Sequence, residues 1–265
     1  MSEIPVRDTL VSVVMPAYNA LPFLREAVAS VQAQTHQDWE LLIVDDGSTD
    51  ETVAVAQEMA LADPRIRVLQ SAGQGGPARA RNLAIDASIG RYIAFLDSDD
   101  AWLPHKLATQ LAAMQRHGAL LCYSAYHKID TAGVRSERPV VPPPWVNHVM
   151  LLKSNHIGCL TGIFDAGALG RERMPDIRKR QDLALWIRLT RRIAAEFGPC
   201  RDKVIGIGEP LALYRVHPGT VSSNKSSAAA WQWKVHREVE RLSLPASIWY
   251  FIHYAVNGWL KSRIR

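Results

Sequence analysis

The first hundred residues alternate apolar runs with helical patterns, and this alternation restricts the fold more than any other feature of the chain. TLVSVVMPAY (9–18) reads as a buried strand stopped by Pro16, followed by the helical PFLREAVASVQAQ (22–34) with Pro22 near its first turn. WELLIVDDGSTD (39–50) is a strand running into an Asp/Gly/Ser turn. Ser48, Thr49 or Asp50 could cap the helix ETVAVAQEMALA (51–62). A short strand RIRVLQ (65–70), the loop SAGQGG, a helix opened by Pro77 (77–88) and a fourth strand RYIAFLD follow. Strand and helix at this spacing predict an α/β fold with a mainly parallel sheet covered on both faces. In such sheets ligands gather at the carboxyl ends of the strands. The unusual loops PAYN, DDGSTD, GQGG and DSDD all fall at those ends.

Beyond Pro104 the pattern predicts a helix (105–117), a strand (119–130) and a loop from Thr131 to Pro144, where VVPPPW can sustain neither helix nor central strand. DLALWIRLTRRIAAEFG (182–198) is helical, KVIGIGEPLALYRVHPG reads as two short strands broken at Pro210, and from about Ser226 the pattern is helical with a break near Pro245.

At 265 residues and 48% apolar composition the chain can bury a full core. The net charge of +5 hides an asymmetry: residues 1–100 hold 7 Lys and Arg against 15 Asp and Glu, and the remainder holds 24 against 11. An acidic site beside a basic surface is expected. No zinc-finger spacing or RNP-like strand accompanies the basic residues, so nucleic acid is not an expected partner. Three scattered cysteines, Cys122, Cys159 and Cys200, fit buried reduced thiols. The N-terminus does not read as a signal peptide, and no run approaches the roughly 20 apolar residues of a spanning helix. The expected location is cytoplasmic, with peripheral attachment to the cytoplasmic face of the inner membrane left open.

A nicotinamide fingerprint is absent from MPAYNALP, and SAGQGG lacks the Lys-Ser/Thr ending of a P-loop. The phosphates of a nucleotide would need another holder. Asp97 and Asp99 could offer oxygens to Mg²⁺ or Mn²⁺; alternatively, DSDDAWLP is a turn whose carboxylates cap the next helix. Asp45 and Asp46 could bind a nucleobase or ribose, or could form an Asx turn. Arg79 and Arg81 lie near the start of the Pro77 helix, where an anion could sit, or else face solvent. Asp182 follows Arg178, Lys179, Arg180 and Gln181 and is either a helix cap or a general base.

Five separated segments, VSVVMPAYNA, LLIVDDGSTD, GGPARARNLAIDASIGRYIAFLDSDDAWLPHKL, RQDLALWIRL and YRVHPGTVSSNK, resemble the family 2 glycosyltransferases of the GT-A fold, especially bacterial enzymes of surface polysaccharide synthesis. The resemblance implies a Rossmann-like GT-A domain over 1–225, with a nucleotide-binding half (1–103) and an acceptor-side half (104–225). A C-terminal helical extension (226–265) would follow. It implies that Pro16, Ala17, Tyr18, Asp45 and Asp46 line the nucleoside pocket, that Asp97 and Asp99 form the D-x-D pair with Asp99 a direct metal ligand, and that His217 lies near the diphosphate or metal. Asp182 would be the catalytic base; Gln181 stands where the family usually has Glu, which puts that residue's contact in doubt.

The implied reaction is a metal-dependent inverting transfer from a nucleotide sugar, UDP the expected nucleotide, to a saccharide or lipid-linked saccharide. Asp182 would deprotonate the acceptor hydroxyl while the ion and nearby cationic or N–H groups stabilise the departing diphosphate. The aromatic and basic C-terminal segment could lie on an anionic membrane surface or pack on the core. Two rival functions are a sugar nucleotidyltransferase, for which PAYNALPFL offers no phosphate loop, and an inert binding protein.

Overall fold

The computed structural model describes residues 7–217 and 225–263. Its strands are β1 (Arg7–Ala17), β2 (Trp39–Asp45), β3 (Ile66–Gln70), β4 (Gly90–Phe95), β5 (Ala101–Trp102), β6 (Leu121–Ile129), β7 (Ile163–Asp165) and β8 (Val204–Arg215). Helices α1 (Leu24–Gln32), α2 (Thr52–Ala62), α3 (Pro77–Ala87) and α4 (Lys106–His117) alternate with them. They are followed by α5 (His148–Lys153), α6 (Ala166–Leu169), α7 (Gln181–Glu196), α8 (Cys200–Lys203), α9 (Lys225–Lys234) and α10 (Leu244–Arg263).

One sheet runs in the order β3-β2-β1-β4-β7-β6-β8-β5. The β3-β2-β1-β4 half is parallel throughout, as the βαβ alternation requires. The other half mixes a parallel β6–β8 pair with antiparallel contacts of β7 and β5. All seven residues of β2 are buried, the mark of an inner parallel strand with helices on both faces. Alternation sorts the side chains: Val11, Val13, Met15, Leu41 and Ile43 pack on α1 and α4, whereas Val14, Leu42, Val44 and Phe95 pack on α3 and α7. Two cores thus sandwich the sheet, and the carboxyl ends of β1, β2, β3 and β4 share one edge.

The structure departs from the sequence expectation at three prolines. Pro16 does not stop β1: it pairs with Val44 of β2, and because β1 has outrun β4 after the Val14–Phe95 pair, the strand has an open side that tolerates a missing N–H. Pro210 does not split β8, which runs unbroken with its register to β6 shifting there, so a bulge absorbs the proline. Pro245 lies in the first turn of α10, and the break comes earlier, after the π-helical turn Val235–Val239 that follows α9.

The C-terminal helices pack on the α3/α7 side. His236 Nε2 lies 3.0 Å from the Leu152 carbonyl, and Asn257 Nδ2 donates to the Lys153 carbonyl at 3.3 Å. Phe251 meets Trp233 edge-on at 5.5 Å, and Tyr250 rests on the core cluster.

Candidate active site

At the end of β2 both carboxylates are engaged by backbone. Asp45 accepts from the N–H groups of Gly47 (3.1 Å) and Ser48 (3.1 Å), an Asx turn that Gly47 completes at φ 84°. Asp46 reaches across to the loop after β3, accepting from Ser71 Oγ at 2.8 Å, Gly75 N at 2.9 Å and Gly76 N at 2.7 Å. Gly76, at φ 82°, lets that loop turn into α3 with Pro77 at the helix start. Ser48 Oγ and Thr49 N bind Asn19, and Asp50 accepts from Thr52 N at 3.0 Å, so these three residues are structural.

At the end of β1, Ala17 is buried and Tyr18 is 49% exposed, its hydroxyl receiving a hydrogen bond from Gln74 Nε2 at 2.8 Å. Tyr18 and the β3 loop therefore touch across the sheet edge. A cavity of about 280 Å³, lined by Ser71, Gln74, Gly75, Arg79 and Leu83 among others, opens on that loop. Arg79 is itself exposed and pairs with Asp176 at 2.9 Å.

Past β4, Asp97 pairs with Arg81 of α3, whose side chain is only 6% exposed. Burial pulls the Arg81 guanidinium toward neutrality, but the charge of Asp97, the hydrogen bond Arg81 donates to it and the charge of Asp182 outweigh burial and hold the proton. Asp99 faces His217, Oδ2 to Nε2 at 3.0 Å. Burial, and then the neighbouring charge of Asp97, raises the Asp99 pKa, and the bond to His217 opposes this. Asp100 accepts from Arg215 N at 2.8 Å while its Oδ2 is buried with no partner among the described residues; burial and the charges of Asp99 and Asp97 push its pKa well up. The helix-cap alternative for this loop is not met. The next element is β5, and the N-cap of α4 is His105, which makes no side-chain cap.

The third component comes from α7. Its N-cap is Arg180, held in the left-handed region at φ 66°, so Asp182 is not the cap but lies within the first turn, half-buried. Asp182 and Asp97 both act electrostatically on Arg81 and on Cys159. Of the two, Asp97 alone contacts the buried guanidinium, and Asp182 acts on it through its charge. Gln181 is buried beside them in sequence, at the first position of the helix.

Two partly exposed carboxylates, Asp97 and Asp99, with an unpartnered oxygen of Asp100 behind them, are of the donor type that suits a hard divalent cation. Among the described residues no group of three or more His, Cys, Asp or Glu side chains is arranged to hold a metal. Asp97 and Asp99 are the residues that would hold such an ion.

The structure pairs Asp97 with Arg81 and Asp99 with His217, with Asp182 acting on Arg81 through its charge, and groups Tyr18, Asp45, Asp46 and Arg79 around the neighbouring β3 loop. Pro16 and Ala17 belong to the end of β1 beside them. Residues 218–224 of the YRVHPGTVSSNK segment lie outside the described residues.

Sequence reasoning missed Arg215. Its side chain is 1% exposed and donates to the Asp99 carbonyl (2.7 Å), the Asp130 carbonyl (3.0 Å) and Glu26 Oε2 (2.5 Å), with Phe23 4.6 Å from the guanidinium. It clamps the DSDD loop from β8. The only available signal was an arginine flanked by apolar residues within a segment already singled out for His217.

Comparison with known proteins adds three findings. The family model described as "Glycosyl transferase family 2" matches residues 12–168. TuaG of Bacillus subtilis, whose name provisionally gives it as a teichuronic acid biosynthesis glycosyltransferase, is 39% identical over 96% of this chain and 98% of its own length. WfgD of Escherichia coli, named as a UDP-Glc:alpha-D-GlcNAc-diphosphoundecaprenol beta-1,3-glucosyltransferase, is 35% identical over 95% of this chain and 94% of its own. Among solved structures, S. aureus TarS 1-349 in complex with UDP-GlcNAc superposes with a TM-score of 0.67 at 17% identity, over 92% of this chain and 71% of that one, a likeness of fold.

Proposed function

The chain belongs to glycosyl transferase family 2, and on that premise we propose that it moves a sugar from a nucleoside diphosphate, UDP the expected carrier, to a hydroxyl of a lipid-diphosphate-linked saccharide in surface polysaccharide synthesis, inverting the anomeric centre. The names of its E. coli relatives, which pair UDP-Glc with a diphosphoundecaprenol-linked acceptor, support that pairing of donor and acceptor classes.

One observation carries the mechanism: Arg81, buried and paired with Asp97 of the nucleotide-side half, also feels the charge of Asp182 from the acceptor-side half. A base and a donor-holding carboxylate on either side of one fixed cation would set acceptor and donor against each other across a short gap. Asp182 is half-buried, and among the described residues no hydrogen bond occupies its carboxylate, so it is available to accept a proton from an incoming hydroxyl.

On the donor side the Tyr18, Asp45 and β3-loop cluster, with its cavity, would take the nucleoside. Asp97 and Asp99, with His217 against Asp99, would hold Mg²⁺ or Mn²⁺. When bound, such an ion would neutralise charge on the leaving diphosphate. Arg215 and Asp100 keep the DSDD loop in place beneath. One displacement with one base inverts configuration, by the logic that governs single-displacement glycoside hydrolysis. The catalytic domain would span 1–225 and the extension 226–265.

Asp182→Asn tests the assignment. The variant is expected to lose turnover by about 10²- to 10⁴-fold while binding UDP as the wild type does in a titration. Wild-type turnover in the variant would remove Asp182 from the mechanism, and an unaltered physiological role without any turnover would favour an inert binding protein.

A further inference from the structure

Helix α10 has its polarity reversed for a helix in water. The residues it turns toward the protein include Ser247, Tyr254 and Asn257, while Leu244, Ile248, Trp249, Ile252 and Val256 are each 45–59% exposed. Leu244, Ile248, Ile252 and Val256 recur every four positions, with Trp249 three before Ile252, and so form one stripe along the helix. Every residue of α10 exposed among those described is apolar, and no charged side chain occurs between Arg241 and Lys261. A contiguous stripe of this kind marks a surface meant for something other than water. No helix of the described chain is long and apolar enough to cross a membrane.

Charge selects the occupant. Glu240 is the last acidic residue, after which the sequence holds Arg241, Lys261, Arg263 and Arg265. Exposed Lys234 and Arg237 lie shortly before it, together with one exposed carboxylate, Glu238, so the exposed charge around α10 remains net positive. Two copies meeting through this stripe would bring like charges together, whereas an anionic lipid surface complements them. We propose that α10 lies in the plane of an anionic bilayer, its apolar stripe sunk at the level of the headgroups and acyl ends.

The inward side of the same helix connects this surface to the reaction. Arg180, the N-cap of α7 two residues before Asp182, donates to Tyr254 Oη at 2.9 Å, and its guanidinium lies 5.6 Å from the Tyr254 ring. Docking through α10 would therefore hold the start of α7 close above the headgroups, where a lipid-diphosphate-linked acceptor presents its sugar. That consequence rests on the proposed acceptor class; the docking face itself does not.

The test uses the full chain and two vesicle preparations, phosphatidylcholine alone and phosphatidylcholine with phosphatidylglycerol, with binding read by flotation. The wild type is expected to float with the anionic vesicles and to be released by added salt. The double variant Trp249→Glu, Ile252→Glu should partition at least about tenfold less, with an unchanged melting temperature, UDP affinity and turnover on a water-soluble acceptor. Flotation of the double variant at the wild-type level overturns the proposal, as does failure of the wild type to float. In the latter case a concentration-dependent dimer broken by the same substitutions would put a second copy on the stripe. Turnover on the soluble acceptor scores the glycosyltransferase reading separately, so failure of the docking face and failure of the chemistry give different patterns.

Discussion

A lysine with no exposure to water must either be paired or lose its charge, and Lys106 has only a neutral partner. Its Nζ donates to Gln110 Oε1 at 2.7 Å and sits 4.0 Å from the Trp102 ring, and burial pushes its pKa down to about 7. Gln110 in turn donates to the Thr161 carbonyl at 2.8 Å, so the lysine helps fix β5, which follows the DSDD loop, against α4. The unfolded chain keeps this proton up to about 10.4, whereas the folded chain gives it up near 7. Between those values the unfolded state binds more protons, and stability must rise with pH. The contribution is present in full above the upper value and lost as pH falls to the lower one. Cys122 beside it, pushed up to about 12 by burial, stays protonated throughout that window. Urea midpoints at pH 7 and pH 9.5 are expected to differ for the wild type and to converge for Lys106→Met; equal shifts in both proteins would show that Lys106 is charged in the fold. None of this was legible from the sequence, because a lysine at the start of an amphipathic helix ordinarily faces water.

Among the elements, the loops are where sequence reasoning succeeded in position and was incomplete in role. The strand-end placement of DDGSTD, GQGG and DSDD follows from hydrophobic periodicity alone, since βαβ units force successive parallel strands to end on one edge. Periodicity says nothing about which loop touches which. The Asp46 carboxylate clasps the glycine loop, and Arg215 reaches the DSDD loop from a strand more than a hundred residues later. Asp46→Ala should release the loop that carries Gln74 and leads into α3. About 2 kcal/mol of stability is expected to go with its charge-assisted bonds, and UDP affinity should fall with it. A melting curve and a UDP titration check this, and wild-type values in both would mean that the loop is held by other contacts. The capping alternatives show the same limit: Asp97, Asp99 and Asp182 each stand where a cap is plausible, and only the backbone reveals that the caps are His105 and Arg180.

For the whole molecule, the acidic first hundred residues supply the parallel half of the sheet, and the basic remainder supplies β5, β6, β7 and β8. The parallel half of the sheet was readable because each of its connections is local. The other half was not, because β7 is three residues long and inserts between β4 and β6, a pairing decided by distant contacts. The effect of Asp182 on Arg81 depends on that second part of the chain, which supplies α7. The central claim is that one base and one displacement move the sugar across this junction. The most direct measurement is the anomeric configuration of the product, read by NMR after reaction of an α-linked UDP-sugar with a saccharide-diphosphate acceptor. The account predicts a β-linked product with release of UDP; an α-linked product would contradict it.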